Sequence, residues 1–176
     1  MNSRLMLVLF FFALGALASP SQAEEDMPDY VRSQLDALVG EWVMEGKTGD
    51  KTVTLEISIH WAPSKAQLIY TWRGTDLGGE KNSGTGIFGW DAGKKAVVEQ
   101  ELDSDGSSFT STHSISPDGK WVSSSSGTVV IEGKAKPLQS VRYFKLKSEA
   151  EWVVRSTQRF IDGEFQPDVV STFRRE

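Results

Sequence analysis

Cysteine is absent from the 176-residue sequence, and histidine occurs only as His60 and His113. A chain without thiols forms no disulfide and cannot carry a lipid anchor on cysteine. Because a metal site would otherwise depend on the two histidines, it would need carboxylate ligands. We therefore predict no metal site and no bound cofactor.

Positive charge is in deficit, with 19 Lys and Arg residues against 24 Asp and Glu residues. The formal net charge is −5 at neutral pH, and the basic residues form no cluster. Nucleic acids and anionic membrane surfaces attract basic patches, so both are poor candidate partners.

No apolar run in the sequence is long enough to cross a bilayer, which takes roughly 20 residues. The longest run extends from Leu5 to Ala18; Arg4 precedes it and Ser21-Gln22-Ala23 follows it. A short basic start, an apolar stretch and small residues before a cleavage point are typical of a secretory signal peptide. We expect cleavage near Ala23, which separates residues 1–23 from a secreted or periplasmic domain of residues 24–176.

Helical spacing is confined to one segment of that domain. Val31, Leu35 and Leu38 recur on one face, Pro28 suits a first helical position, and Gly40 suits the end of a helix. The pattern predicts one short N-terminal α-helix over residues 28–39.

The remaining sequence is β-patterned. In KTVTLEISIHW, apolar residues alternate with polar ones from Val53 to Trp61, which is typical of a half-buried strand. Turn sequences such as DSDG and SPDG separate similar runs. The predicted strands are 41–46, 51–61, 66–73, 84–91, 95–102, 107–115, 120–131, 138–146, 151–161 and 166–174.

About ten neighbouring strands joined by tight turns predict an all-β fold, a single antiparallel up-and-down barrel, because closure removes the two exposed edges. An outer-membrane barrel would be the competing closed form. If the apolar faces point inward, charged residues cover the outside, which disfavours a membrane barrel; this predicted outer set is Glu56, Glu99, Glu101, Arg155 and Arg159.

Three motifs resemble those of secreted bacterial lipocalin-like domains of unknown function, which have calycin-type barrels. They are Leu38-x-Gly40-x-Trp42, the GxxGWD motif from Gly86 to Asp91, and the DSDG hairpin at 103–106. The resemblance implies that Trp42 closes one end of the barrel and that an arginine from a late strand stacks on it. Arg174 is the first candidate for that arginine and Arg155 the second.

No motif specifies catalysis. By alternation His60 faces outward and His113 inward, where His113 is either a general base or ligand for metal or haem, or a hydrogen-bonded core residue. The second interpretation is favoured because no other histidine faces inward. DSDGS (103–107) is interpreted as a hairpin rather than a calcium loop, and GTGIFG (84–89) as a kinked strand rather than a phosphate loop.

The predicted inner faces mix aromatic with polar side chains, which is the usual composition of a small-molecule pocket. Arg142, if inward, needs an anion, such as a ligand carboxylate. In this strand phase Val98, Gln100 and Leu102 face inward, while Val97, Glu99 and Glu101 face outward. The predicted ligand-binding residues are Tyr70, Trp72, Phe88, Trp90, Gln100, His113, Arg142 and Gln158.

Three functions are compatible with these features. The first is a non-enzymatic binder of a small apolar or amphipathic molecule. The second is an isomerase, cyclase or hydratase that uses His113 and Tyr70, which an inward carboxylate near His113 would favour. The third is an interaction module that acts through its surface around a packed interior.

Overall fold

A computed structural model describes residues 26–48, 51–75 and 80–176. The predicted signal peptide lies outside these residues. The chain forms one helix, α1 (Asp29–Asp36), followed only by strands. The strands are β1 (Gly40–Thr48), β2 (Lys51–Trp61), β3 (Gln67–Thr75), β4 (Lys81–Asp91), β5 (Ala96–Asp103), β6 (Ser108–Ile115), β7 (Trp121–Ile131), β8 (Lys134–Ser148), β9 (Glu151–Ile161), β10 (Glu164–Gln166) and β11 (Val169–Arg175).

The strands close into a ten-stranded antiparallel barrel, as predicted. Strands β1 to β9 each pair with the next strand in sequence, β9 also pairs with β11, and β11 pairs with β1. The short β10 extends the edge of β9 beyond the end of β11. The predicted last strand, 166–174, is therefore two segments, with Pro167 between them, because proline supplies no N–H to the ladder.

The helix is shorter than predicted. Pro28 occupies the N-cap position rather than the first turn, and α1 ends at Asp36. Gly40, predicted to end the helix, instead begins β1 with a φ of +137°. No helix among the described residues is long and apolar enough to cross a membrane.

Two predicted loops are shorter in the structure. The turn expected over 132–137 is confined to Glu132 and Gly133, because β8 already begins at Lys134. The loop expected over 74–83 begins after Thr75 and ends before Lys81, and residues 76–79 lie outside the described part.

A row of stacked aromatic rings crosses one wall of the interior. Trp121 stacks on Phe144 at a centroid distance of 4.8 Å, and Trp152 stacks on Phe173 at 4.2 Å. Phe144 and Trp152 are parallel at 6.1 Å, which joins the two pairs. The row spans β7, β8, β9 and β11 and gives this wall a continuous series of aromatic rings.

Strand β5 has the opposite phase to the one predicted. Glu99 is buried, Glu101 is partly buried, and Gln100 and Leu102 are exposed, Leu102 by 69 %. The prediction placed the acids outside because an unpaired buried carboxylate is costly. That cost is offset here, since partners from other strands surround both carboxyl groups, as described next.

Candidate functional site

The barrel contains a cavity of about 360 Å³ that is partly open to solvent. One side is apolar, with Leu55, Ile57 and Val154 beside the aromatic row. The other side is polar and is formed by Tyr70 and Trp72 from β3, three acids from β5, and Arg142 from β8. The acids are Glu99, Glu101 and Asp103, which share one face because side chains alternate along a strand.

Glu99 is the centre of the polar side. Its Oε2 accepts hydrogen bonds from Arg142 Nη2 at 2.5 Å and from His113 Nε2 at 3.0 Å, and its Oε1 lies 2.8 Å from the Tyr70 hydroxyl. Burial alone would raise the pKa of Glu99, but the Arg142 charge and the hydrogen bonds from His113 and Ser111 outweigh it. The pKa of Glu99 is held below its usual range, so this carboxylate is ionised.

His113 is completely buried and both of its ring nitrogens are used. Trp121 Nε1 donates a hydrogen bond to His113 Nδ1 at 3.0 Å. An indole N–H can only donate, so Nδ1 carries no proton and Nε2–H donates to Glu99. His113 therefore holds Glu99 in place, has no nitrogen free for a ligand, and does not line the cavity.

The Tyr70 hydroxyl lies between two carboxyl groups, at 2.8 Å from both Glu99 Oε1 and Glu101 Oε2. It has one proton, so it can donate to only one of them. Burial, followed by the charges of Glu99 and Glu101, raises the pKa of Tyr70, which keeps that proton. The second hydrogen bond then needs a proton on Glu101.

Glu101 is suited to keep that proton. Burial, and next the charge of Glu99, raise the pKa of the Glu101 carboxyl. Its other oxygen, Oε1, accepts a hydrogen bond from Trp72 Nε1 at 2.7 Å. A proton on Glu101 would complete a chain of hydrogen bonds from Glu101 through Tyr70 to ionised Glu99.

Asp103 extends the acidic face of β5 beyond Glu101. Burial, and then the charges of Glu101 and Asp105, raise the pKa of Asp103 to about 7. Its Oδ1 is buried and has no hydrogen-bond partner among the described residues. Two further buried atoms of cavity-lining residues also have no hydrogen-bond partner among the described residues: Arg142 Nε and Trp152 Nε1.

Of the eight predicted ligand-binding residues, Tyr70, Trp72, Phe88 and Arg142 line the cavity. His113 lies behind it, Trp90 is half-buried against the core, and Gln100 and Gln158 are exposed. Gln100 was misplaced by the phase of β5. Gln158 was misplaced by a β-bulge, where its φ is +46° and the β8–β9 register shifts.

The prediction missed the acids of β5. The signal that pointed to them was Arg142, which was expected to need an anion. The protein itself supplies that anion, because Glu99 pairs with Arg142. Glu99, Glu101 and Asp103 are spaced two residues apart, so the sequence places them on one face of the strand. Only their partners on β3 and β8 determine whether that face is inside.

Gly86 explains why Tyr70 reaches this network. A Cβ at Gly86 would lie 2.1 Å from Tyr70 Cζ, well inside van der Waals contact. The Tyr70 ring therefore crosses β4 where glycine leaves room. The glycine-rich stretch was predicted to be a kinked strand rather than a phosphate loop; it belongs to strand β4, and at Gly86 it accommodates an aromatic side chain.

The barrel end beside α1 is closed by Trp42, but its partner is Arg175 and not Arg174. The Arg175 guanidinium lies 4.3 Å from the Trp42 ring centroid and donates to the carbonyls of Ala37 and Val39. In the β1–β11 register Trp42 is directly opposite Arg175. Arg174 points to the other face, where it pairs with Glu151, and Arg155 pairs with Asp168.

The cavity acids do not form a metal site. Among the described residues, no group of three or more His, Asp or Glu side chains is arranged to hold a metal ion. The DSDG sequence forms the β5–β6 turn, in which Asp105 Oδ1 accepts from the Ser107 backbone N–H.

Comparison with protein-family models finds no match, and comparison with curated proteins finds none. The closed ten-stranded antiparallel barrel is compatible with a lipocalin-like fold.

Proposed function

We propose that the protein is exported and binds a small amphipathic molecule inside the barrel. The observation that carries this proposal is a cavity with buried polar atoms that have no hydrogen-bond partner in the described part of the chain. Its volume of about 360 Å³ lies within the range of small-molecule pockets, roughly 300–1,000 Å³. Asp103 Oδ1, Arg142 Nε and Trp152 Nε1 belong to residues that line it.

An unpartnered buried polar atom costs about 1–3 kcal/mol. A ligand that supplies its hydrogen-bond partner recovers part of that cost, while the aromatic row and the aliphatic residues contact its apolar part. Both features favour an amphipathic ligand over a purely apolar one. The leader sequence supports export.

Native mass spectrometry of the purified protein, before and after extraction with organic solvent, tests this function. We expect a discrete extra mass that extraction removes. Ser156 lines the cavity, so Ser156→Trp should fill it and abolish the extra mass. Ser124 is exposed on β7, and Ser124→Trp is the matched control that should retain the extra mass.

The proposal fails if the native protein carries no extra mass and binds none of a panel of aliphatic and aromatic probes in a saturable manner. It also fails if Ser156→Trp, once shown to be folded by circular dichroism, retains the same mass as Ser124→Trp. Cleavage and export are tested separately by the N-terminal sequence of the protein recovered from its native compartment.

Acid–base catalysis in the same cavity is a second candidate, supported by the two carboxyl groups of Glu101 and Asp103. Glu99 is the inward carboxylate near His113 that was expected to favour an enzyme. His113 has no free nitrogen, however, so the candidate acid–base groups are carboxyls and not His113. The test is exchange of ligand C–H hydrogens in D₂O, followed by mass spectrometry of the recovered ligand. Exchange that depends on Asp103 would favour an enzyme; an unchanged ligand would favour a binder.

The surface-acting alternative has less support. It requires a packed interior, and the barrel has a cavity instead. Two exposed apolar residues, Phe165 and Val170, lie on β10 and β11, and no side chain of the described residues buries them.

A further inference from the structure

We infer that the ligand of this cavity carries a positive charge, such as an alkylammonium group, which is seated beside Glu101 and Asp103. This inference rests on the proposed function, since it names the class of molecule that the cavity binds. It follows from the balance of charges, from the groups around the two carboxyls, and from the unpartnered atoms of the wall.

Acidic groups outnumber basic groups in the lining of the cavity. Three carboxyl groups face a single guanidinium, and that guanidinium, of Arg142, is already paired with Glu99 at 2.5 Å. Among the described residues, neither Glu101 nor Asp103 forms an ion pair with a lysine or arginine. An anionic ligand would approach two carboxyl groups, whereas a cation would supply the counter-charge that they lack.

Aromatic side chains flank the two carboxyl groups. Phe109 on β6 lies opposite Glu101, and the Trp72 indole nitrogen is 2.7 Å from Glu101. On β4, Gly84 lies opposite Asp103, and a Cβ there would lie 2.3 Å from both Asp103 Oδ1 and Trp72 Nε1. Two carboxyl groups and two aromatic side chains therefore lie in one region, and the carboxyl groups are the part of it that attracts a cation.

Unpartnered atoms indicate a ligand independently of the charge balance. Asp103 Oδ1 is an acceptor that an ammonium N–H can satisfy. On the opposite wall the Trp152 side chain, only 6 % exposed, lines the cavity with an unpartnered Nε1 donor. An oxygen on the ligand body would accept from it, and Leu55, Ile57, Val154 and Phe173 would contact the apolar part.

Cation binding should release protons. The groups around Asp103 are Glu101 on its own strand, Asp105 in the following turn and Trp72 on β3, and beyond them lie Tyr70, Glu99 and Arg142. With the pKa of Asp103 raised to about 7, this carboxyl is partly protonated at neutral pH. A cation favours its ionised form, so affinity should rise with pH below about 7 and level off above it.

Three probes with similar apolar chains but different head groups test the inference: hexyltrimethylammonium, 1-heptanol and heptanoate. The quaternary ammonium ion does not titrate, so any pH dependence of its binding belongs to the protein. In calorimetry we expect it to bind about tenfold more tightly than the alcohol, and heptanoate more weakly than both. Its affinity should rise about fivefold between about pH 6 and about pH 8, with proton release.

Asp103→Asn should lower the affinity for hexyltrimethylammonium about tenfold and remove its pH dependence, while 1-heptanol binds unchanged. Asp162→Asn is the matched control, because Asp162 is an exposed aspartate in the β9–β10 hairpin. Its substitution removes the same charge outside the cavity. If Asp103→Asn does not fold, the pH profile of the wild-type protein still decides.

The outcomes separate the two proposals. If 1-heptanol binds but the cation binds no better, or heptanoate binds best, the charge inference is wrong and the binding function stands. If the cation binds best but without pH dependence or proton release, the proposed position of the cation beside Asp103 is wrong. If none of the probes binds and the purified protein carries no extra mass, the binding function and the inference fall together.

Discussion

Replacing Glu99 by methionine should lower the free energy of unfolding by about 3 kcal/mol. The substitution removes the carboxylate that pairs with Arg142 and accepts hydrogen bonds from Tyr70 and His113. Removing one partner of a buried ion pair costs roughly 3–5 kcal/mol, because the other charge is left uncompensated. The lower end applies here, since the Arg142 side chain keeps 22 % of its surface exposed and is partly hydrated.

A double-mutant cycle separates the ion pair from simple loss of packing. Arg142→Met alone should cost about 2 kcal/mol, because Glu99 keeps its donors Tyr70 and His113. The double variant contains neither charge, so it should be about 2 kcal/mol more stable than the sum of the two single effects predicts. Urea unfolding at neutral pH, followed by tryptophan fluorescence, measures all three variants.

Gln100→Met is the matched control, because Gln100 is the neighbouring residue on the outer face. We expect it to change stability by less than about 0.5 kcal/mol. The assignment of β5 is refuted if Gln100→Met costs more than Glu99→Met. The ion pair is refuted as the cause if the two single effects add within about 0.5 kcal/mol.

Three further predictions follow from single contacts. Gly86→Ala places a Cβ 2.1 Å from Tyr70 Cζ and should lower the free energy of unfolding by about 1–3 kcal/mol in thermal unfolding. At Gly89, on the same strand, the nearest atom is Gln67 Cγ at 3.6 Å, so an equal loss from Gly89→Ala would contradict the steric cause. Arg175→Met should lower the free energy of unfolding by about 1–2 kcal/mol, because the contacts with Trp42 and with the carbonyls at the end of α1 are lost. Arg174→Met should leave the melting temperature unchanged, and the reverse order of effects would indicate that Arg174 is the partner of Trp42. Asp103→Asn should stabilise the protein increasingly as the pH rises from about 4 to about 7, because over this range the unfolded chain loses a proton that Asp103 retains in the folded protein. A difference in melting temperature that does not change with pH would contradict the raised pKa of Asp103.

The sequence was sufficient to predict the barrel and much of its interior. In β2 the alternation from Val53 to Trp61 is regular, and the structure confirms a partly buried Trp61 and an exposed His60. On β6, His113 was also placed inside correctly, and it is completely buried. In these strands one face is clearly distinct from the other, so the hydrophobic pattern determines the phase.

Strand β5 lacks such a distinction. Val97 and Val98 are equally apolar, so the predicted inner face depended on Glu99 and Glu101. Acidic residues are mostly exposed in proteins, and the prediction therefore placed both of them outside. The groups that stabilise Glu99 and Glu101 inside are Tyr70 and Arg142, which are 29 and 43 residues from Glu99 in sequence. Only the closed barrel brings them together. The same limit applied at Arg174 and Arg175, where two adjacent arginines carry no pattern and the register with β1 decides which one contacts Trp42.

The proton that Tyr70 and Glu101 share connects the fold of the site to its ligand chemistry. While Glu101 is protonated, Tyr70 donates to Glu99 and accepts from Glu101, and every contact between them is satisfied. If Glu101 ionises without a counter-charge, the single Tyr70 proton must serve two carboxylates, one of which loses its hydrogen bond in a buried site. A cation beside Glu101 and Asp103 removes that penalty. A site in which Glu101 holds a proton until a counter-charge is present should therefore be selective for positive charge, because a cation can take the place of that proton.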